Sequence, residues 1–293
     1  MLLVTGANGK VGSRVIAALA AKGFKIKAMD IDPRVERYKE EIGAETFVGD
    51  ASSAKAMKEA MKGCDQVFYI PPLFSYQETK IAQIAIDAAV EAGVRQFVML
   101  SVINPQMNTM PHHTMKLNAE SHLIYQGLVH KFSYTIIQPA YYHHNLVVSR
   151  LMEKGKYYHY TAPNIKMAYL SCDDIAEVLA KILSEDSHNF AIYPLCGSDY
   201  LTPPEAMELF TKISGKEIAL TYVTKENLEE NITKYVGNDS YAKETMIRMH
   251  DTYAKYGFPG NKNVLEWLLG RPATTLESYF RKELEKEGYA VKG

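Results

Sequence analysis

The first thirty residues constrain the fold of this 293-residue chain more than any other stretch. An apolar run of five residues leads into the turn Gly6–Gly12, and apolar residues then recur at helical spacing up to Gly23. A second apolar run follows and ends on Asp30. The order predicts a strand, a glycine turn, a helix, a second strand and a terminal acid.

The glycine turn predicts a binding site for a diphosphate. Glycines leave space for an anion to approach the backbone N–H groups at the start of the helix, where the helix dipole also favours negative charge. Asp30 lies eighteen residues after Gly12, close to the spacing at which an acid accepts hydrogen bonds from a ribose hydroxyl. The context therefore favours dinucleotide binding, and the alternative is a tight strand-to-helix turn that holds no ligand.

Strands and helices continue to alternate as far as Pro139, with short connections between them. The predicted later strands are residues 46–48, 66–70, 94–100 and 133–137. This alternation predicts an α/β fold with a doubly wound parallel sheet of Rossmann type, whose ligands collect at the carboxyl ends of the strands. The expected cofactor-binding residues are Gly6, Asn8, Gly9, Lys10, Val11, Gly12, Asp30, Asp50, Ile70, Pro71, Lys116 and Pro139.

The pattern changes after Pro139, where residues 152–160 are expected to be irregular and the last ninety residues mainly helical. We therefore predict a dinucleotide-binding domain over residues 1–150. A smaller α+β part over residues 151–293 should be mainly helical, form a substrate or lid domain, and return some strand and helix to the main domain.

Composition excludes several classes of protein. A net charge of −1 gives no global field that would favour nucleic acid or an anionic membrane. Three widely spaced cysteines indicate reduced thiols and a cytoplasmic protein. No apolar segment approaches the roughly 18 residues of a membrane span, so none is expected. Because a strand is predicted to begin at Met1, we also expect no signal peptide.

Several segments in order along nearly the whole chain resemble the NmrA-like family of atypical short-chain dehydrogenases/reductases. These segments are Val4–Gly12 with its Gly-x-x-Gly-x-x-Gly spacing, Phe47–Asp50, Phe97–Ser101, Lys116 with Glu120, Thr135–Pro139 followed by Asn145, and Gly270–Leu276. The resemblance implies an NAD(P)-binding fold. Some members are NAD(P)H-dependent quinone or dye reductases, and others are redox-sensing regulators that bind dinucleotide and a protein partner with little or no turnover. Both functions stay open, and epimerase chemistry on a sugar nucleotide is a third possibility.

Three residues are candidates for catalysis. Typical short-chain reductases carry a proton-donating Tyr four residues before a Lys; before Lys116 that position holds His112, whose ordinary pKa lies near neutrality. The resemblance assigns Lys116 to the nicotinamide ribose, and the alternative is a surface pair with Glu120. For His112 the alternative is a plain residue of a loop over 103–112, and for Ser101 it is a strand-end cap instead of a hydrogen bond to cofactor or substrate.

The acceptor is expected to be a small aromatic or quinone-like molecule. Segments that could surround the nicotinamide carry Phe74, Tyr76, Met107, Met110, Tyr141, Tyr142 and Trp267. Adjacent histidines, at 112–113 and 143–144, point in different directions, so no metal site is expected.

The charge around Asp30 predicts NAD(H) over NADP(H). Ile31 stands where NADP-binding relatives usually carry an arginine, and a carboxylate at Asp30 would repel a 2′-phosphate. Lys10 and Arg34 argue the other way, because either cation could neutralise that phosphate. Asp32 is expected to be the N-cap of the next helix.

Overall fold

Strands and helices alternate through the first half of the chain, as the apolar pattern predicts. The computed structural model describes residues 1–292. The strands in this range are β1 (Leu2–Val4), β2 (Ile26–Asp30), β3 (Glu45–Val48), β4 (Gln66–Tyr69), β5 (Gln96–Leu100), β6 (Ser133–Pro139), β7 (Tyr141–Tyr142), β8 (Lys156–His159), β9 (Met167–Leu170), β10 (Ala191–Leu195), β11 (Tyr200–Leu201) and β12 (Ala219–Tyr222). The α-helices are α1 (Lys10–Ala21), α2 (Tyr38–Ile42), α3 (Ala54–Met61), α4 (Glu78–Ala92), α5 (Pro111–His130), α6 (Val148–Lys154), α7 (Cys172–Ser184), α8 (Pro203–Ser214), α9 (Lys225–Val236), α10 (Ser240–Tyr256), α11 (Asn263–Leu269) and α12 (Leu276–Lys286).

The main sheet has seven strands in the order β10-β6-β5-β4-β1-β2-β3. Neighbouring strands from β3 to β6 pair in parallel, so Leu3 of β1 lies between Lys27 of β2 and Val67 of β4. The order runs outward in both directions from β1, and this confirms the predicted doubly wound sheet. Parallel strands place the carboxyl ends of β1, β2, β4, β5 and β6 at one edge, where the candidate site lies.

The core of this sheet is apolar on both faces. Strands β1, β4 and β5 are buried along their whole length, and the alanine-rich face of α4 packs with Phe97 and Tyr69 in one cluster. The amide of Gln66 donates to Gln96 Oε1 at 2.8 Å and to the carbonyl of Leu183 at 2.6 Å. Buried amides need such partners, and these bonds tie the end of α7 to the sheet.

The chain divides into two compact units. The first contains residues 1–108, 112–139 and 175–194, and the second contains residues 109–111, 140–174 and 195–293. The second unit carries the three-stranded sheet β11-β9-β7, the two-stranded sheet β12-β8 and most of the C-terminal helices. The predicted domain boundary at residue 150 stays a prediction.

Two local expectations were wrong. Helix α5 begins at Pro111 and not near Thr114, because the first helical turn needs no proline N–H, so His112 lies on a helix and not in a loop. Residues 152–160 are not irregular: α6 covers their start, and β8 then pairs in parallel with β12. That pairing joins segments more than sixty residues apart, which no local pattern reveals.

Helix α8 begins at Pro203 with a capping box. Thr202 is the N-cap, Pro203 is the first helical residue, and the Glu205 side chain completes a capping box with Thr202. Within residues 1–292, no helix has both the length and the apolar character that a membrane span requires. Cys64, Cys172 and Cys196 are buried.

Candidate dinucleotide and catalytic site

The glycine turn between β1 and α1 depends on close backbone packing. Gly6 has a φ of +60°, a conformation that favours glycine. A Cβ at Gly12 would lie 2.2 Å from the Gly6 carbonyl oxygen, so no other residue fits there without movement. The turn therefore brings the start of α1 directly against the end of β1.

A threonine hydroxyl fastens this turn to β4. Thr5 Oγ1 accepts the N–H of Ile70 at 2.8 Å and donates to the Ile70 carbonyl at 3.2 Å. A Cβ at Gly6 would lie 3.4 Å from the Ile70 side chain. The structure thus places Gly6 beside Ile70, two of the residues that the sequence predicts to bind cofactor.

The N-terminus of α1 fits a diphosphate. Its N-cap, Gly9, offers no side chain, and the first turn contains no acidic residue. Lys10 is exposed at the first helical position, with Val11 next to it. The first N–H groups of a helix have no partner within it, so this end suits an anion held by backbone donors and a nearby cation.

Asp30, at the end of β2, is fixed by backbone donors. Its carboxylate accepts the N–H of Asn8 at 2.8 Å and the N–H of Asp32 at 3.0 Å. The carboxylate therefore joins the glycine turn to the segment after β2. Each oxygen retains a further lone pair that a ribose hydroxyl could use.

Asp32 and Arg34 form a separate pair. Asp32 caps the short 3-10 helix Pro33–Arg37 by accepting the Arg34 N–H at 2.9 Å, which confirms its expected capping role. Its carboxylate also accepts from Arg34 Nε at 2.7 Å, and these hydrogen bonds lower the pKa of Asp32. Arg34 is therefore engaged by its neighbour, although its side chain is largely exposed.

Lys116 is buried on α5 and pairs with an unexpected partner. Its Nζ lies 2.5 Å from Glu78 Oε1, at the start of α4, and both side chains are less than a tenth exposed. The alternative of a surface pair with Glu120 is therefore wrong. Burial raises the pKa of Glu78, and the charge of Lys116 opposes that shift. Glu78 Oε2 is buried without a hydrogen-bond partner in residues 1–292.

A second buried polar group, the carboxyl group of Glu120, lies one helical turn after Lys116 on α5. The Ser101 hydroxyl donates to Glu120 Oε1, and the Gln138 amide donates to the two Glu120 oxygens at 2.9 and 3.1 Å. Burial raises the pKa of Glu120, while these hydrogen bonds act in the opposite direction. Ser101 is thus neither a plain strand-end cap nor an isolated hydroxyl, because its proton is directed at a carboxylate.

His112 lies in the first turn of α5 in an apolar environment. Its ring packs edge-on against Phe74, with centroids 5.5 Å apart, and against His113 at 4.6 Å. Burial lowers the pKa of His112 to about 2, so the imidazole is neutral near pH 7. The expectation of a near-neutral pKa, on which its role as proton donor depended, is wrong in this environment.

The remaining predicted residues are separated along the same edge of the sheet. Asp50 is exposed, and its carboxylate accepts the N–H of Ser52 at 2.8 Å within its own turn. Pro71 follows Ile70 directly after β4, and the Pro139 carbonyl accepts the N–H of Ile103 at 3.0 Å. The structure therefore brings Asp30, Asn8, Gly6 and Ile70 together, whereas Asp50 keeps local contacts.

The candidate acceptor residues fall in both units. Phe74, Tyr76 and Met107 belong to the first unit, and Met110, Tyr141, Tyr142 and Trp267 belong to the second. Their grouping around an acceptor stays a prediction. In the described range, no set of three His, Cys, Asp or Glu side chains is placed to hold a metal ion.

Sequence reasoning missed Glu78 as a site residue. Glu78 follows an exposed loop and begins a helix, where an acid is usually a solvated first-turn residue. Its partner Lys116 lies 38 positions away. The tertiary fold alone brings the two charges together, so the sequence carried no signal for this pair.

A family model described as the NmrA-like family matches residues 1–287. The chain belongs to the NmrA-like family. The resemblance carried by the glycine turn and the later motifs is thereby confirmed. Membership covers both units, since the match runs almost to the end of the chain.

Individual proteins are similar to this chain over nearly their full length. The NAD(P)H azoreductase of Xenophilus azovorans is 25% identical over 99% of this chain and 100% of its own. An Escherichia coli NADPH-dependent quinone oxidoreductase, solved with NADPH, superposes with a TM-score of 0.80 at 22% identity, over 97% of this chain and 100% of its own. A Citrobacter triphenylmethane reductase solved with NADP(H) gives a TM-score of 0.80 at 20% identity, over 97% and 99%.

Proposed function

We propose that the protein is an NAD(P)H-dependent oxidoreductase of the quinone- or dye-reductase type. The glycine turn is the main support for the proposal. Gly12 packs so closely against Gly6 that a side chain would not fit between them, so backbone groups surround the N-terminus of α1, where a diphosphate would bind. Full-length similarity to an azoreductase and to a quinone oxidoreductase supports this choice of reaction. A small quinone or dye is the proposed acceptor.

The chain would hold the dinucleotide mainly with backbone groups. The first N–H groups of α1 and the exposed Lys10 would bind the diphosphate, and Asp30 would accept from the adenosine ribose. The bound dinucleotide would supply a hydride to the acceptor. Ile70 and Pro71 would line the approach from the end of β4.

Lys116 would orient the nicotinamide ribose. An ammonium has three N–H donors, and Glu78 takes one of them at 2.5 Å. Glu78 thereby fixes the direction of the Lys116 side chain in a buried place where a free charge would be costly. We assign Glu78 as the positioning residue for Lys116.

The groups near Lys116 differ in their capacity to move a proton. His112 is neutral near pH 7, because burial lowers its pKa. Its imidazole can therefore donate a hydrogen bond to an acceptor oxygen, but it does not carry the second proton that a general acid would transfer. Ser101 directs its proton to Glu120 while that carboxylate is ionised. The Lys116 ammonium retains N–H donors beyond the one that Glu78 accepts.

The test is an electron-acceptor screen with purified protein. NADH and NADPH consumption is followed against quinones, azo dyes, triphenylmethane dyes and small carbonyls. We expect turnover with a quinone or a dye. The proposal fails if the protein binds dinucleotide by calorimetry and none of these acceptors is reduced.

Within this function we propose a preference for NADH over NADPH. Asp30 presents a carboxylate beside the expected 2′ position, and two like charges about 4 Å apart at an effective dielectric near 20 repel by about 4 kcal/mol. Arg34, which could neutralise a 2′-phosphate, is already held by Asp32 at 2.5 Å. Calorimetry with both cofactors decides, and tighter binding of NADPH would overturn the preference.

A regulatory protein partner stays a prediction from the sequence. If one exists, its capture on immobilised protein should depend on whether NAD(P)H or NAD(P)⁺ is present.

A further inference from the structure

The second unit contains a thiol–imidazole pair that the proposed reductase chemistry does not use. Cys172 Sγ lies 3.2 Å from His144 Nδ1, and both residues are buried. The Tyr142 ring stacks on the His144 imidazole, with centroids 4.8 Å apart and an interplanar angle of 16°. Tyr142 itself is only partly buried.

The fold of the second unit brings this pair together. Strands β7 and β9 run in parallel, with Tyr142 opposite Leu170. His144 and Cys172 each lie two residues beyond these partners, where the chain leaves the carboxyl end of its strand. The register of the small sheet therefore fixes the imidazole beside the thiol.

The position of Cys172 in α7 also favours a thiolate. It is the first residue of a 13-residue helix, whose N-terminal N–H groups and dipole stabilise negative charge. The two acids of the first turn would oppose this effect, but each has a cationic partner. Asp174 accepts from Arg271 at 2.9 Å, and Asp173 pairs with Lys282 at 2.5 Å.

The other two thiols provide an internal comparison. Cys64 Sγ faces the carbonyl of Ala60 at 3.6 Å, and Cys196 Sγ faces the carbonyl of Gly197 at 3.4 Å. Burial raises the pKa of Cys64 and raises that of Cys196 to about 11. A carbonyl keeps the proton on sulfur, whereas an imidazole can remove it.

We propose that Cys172, activated by His144, is a site of covalent modification by quinones. In the reaction, Cys172 transfers its proton to His144 Nδ1 and the sulfur adds to an unsubstituted ring carbon of the quinone. The electron pair displaced from the ring moves to a quinone oxygen, which takes the proton from His144. Loss of the ring hydrogen to the second oxygen leaves a thioether-substituted hydroquinone, with no external oxidant or reductant.

The choice of a quinone as the electrophile rests on the proposed function, whereas the selectivity among the three thiols does not. The experiment therefore omits dinucleotide. Native protein is treated with stoichiometric 1,4-benzoquinone, quenched at intervals and digested, and the adduct on each cysteine peptide is measured by mass spectrometry. We expect Cys172 to react about tenfold faster than Cys64 or Cys196.

Two controls locate the cause of the selectivity. His144→Gln should slow the Cys172 reaction about tenfold and leave the other two rates unchanged. His122→Gln, which removes an imidazole that pairs with Asp87 in the first unit, should change none of them. Unfolding in urea should equalise the three rates, which keeps the test decisive even if His144→Gln fails to fold.

Equal rates in native protein, or selectivity for Cys172 that persists in urea, would overturn the proposal. Reductase assays are run separately on the untreated wild-type protein. A protein that reduces no acceptor but still shows selective Cys172 adducts would refute the reductase function and leave this inference standing.

Discussion

The glycine turn and the buried polar residues of α5 lie at the same edge of the sheet but are built in opposite ways. The turn is made of backbone: Gly12 packs on Gly6, and Asp30 is held by N–H groups. The α5 groups are made of side chains that meet across distant elements, Lys116 with Glu78 and Ser101 with Glu120. A site made of backbone should be sensitive to added volume, and one made of charges should be sensitive to lost partners.

The largest expected effect comes from removing one charge of the buried pair. Lys116→Met leaves the Glu78 carboxylate buried without its cation, which should lower the free energy of unfolding by about 3–5 kcal/mol. Urea unfolding at neutral pH measures the loss. The double variant Lys116→Met/Glu78→Leu should recover most of it, because no uncompensated charge remains.

The matched control for this variant is Lys234→Met. Lys234 pairs with Glu230 on the exposed face of α9, and its removal should leave the unfolding curve close to that of wild type. Similar urea unfolding curves for Lys116→Met and Lys234→Met would contradict a stabilising contact between Lys116 and Glu78.

Added volume in the glycine turn should have the next largest effect. A Cβ in Gly12→Ala would lie 2.2 Å from the Gly6 carbonyl oxygen, so we expect a loss of about 1–3 kcal/mol in stability and weaker dinucleotide binding. Thermal unfolding and calorimetry measure the two losses. Gly9→Ala is the control, because its Cβ would lie 3.1 Å from the same oxygen and should destabilise the protein less.

The same contrast explains what the sequence could predict. The glycine turn and the capping role of Asp32 follow from neighbours within a few residues, so local reasoning identified them. Lys116 was identified only by the resemblance to the family. The nearby acid Glu120 was the wrong partner for it, because the fold brings Lys116 into contact with Glu78, 38 positions away. The neutral state of His112 likewise depends on burial, which a residue's position in the sequence does not reveal.

The stability of the protein should depend on pH through the buried Glu120 carboxyl group, which accepts hydrogen bonds from Ser101 and Gln138. Burial raises the folded-state pKa of Glu120 above the ordinary value of 4.5. Between pH 4.5 and the raised pKa, the folded protein holds a proton that the unfolded chain has lost, so stability falls as pH rises through this window. The expected loss is about 1.4 kcal/mol for each unit by which the pKa is raised.

Glu120→Gln should remove this contribution while keeping an acceptor for Ser101 and a side chain of the same size. Unfolding free energies of wild type and variant are compared from pH 4 to 8, and Glu40→Gln, at an exposed position of α2, is the control. Wild type should lose stability relative to Glu120→Gln as pH rises. Parallel curves would contradict a buried, proton-holding Glu120.

The smallest expected effect concerns the charge of Asp30. Asp30→Asn keeps the shape of the side chain but removes the negative charge that should repel a 2′-phosphate. We expect the ratio of NADPH to NADH affinity to rise about tenfold, equivalent to about 1.4 kcal/mol, measured by calorimetry. Asn is preferable to Ala, because its amide oxygen can still accept one of the two N–H groups of Asn8 and Asp32, whereas Ala would leave both without this acceptor. Arg34→Met tests the competing cation: if Arg34 stays with Asp32, its removal should change the ratio little. A large loss of NADPH binding in Arg34→Met, with an unchanged ratio in Asp30→Asn, would mean that Arg34 and not Asp30 selects the cofactor.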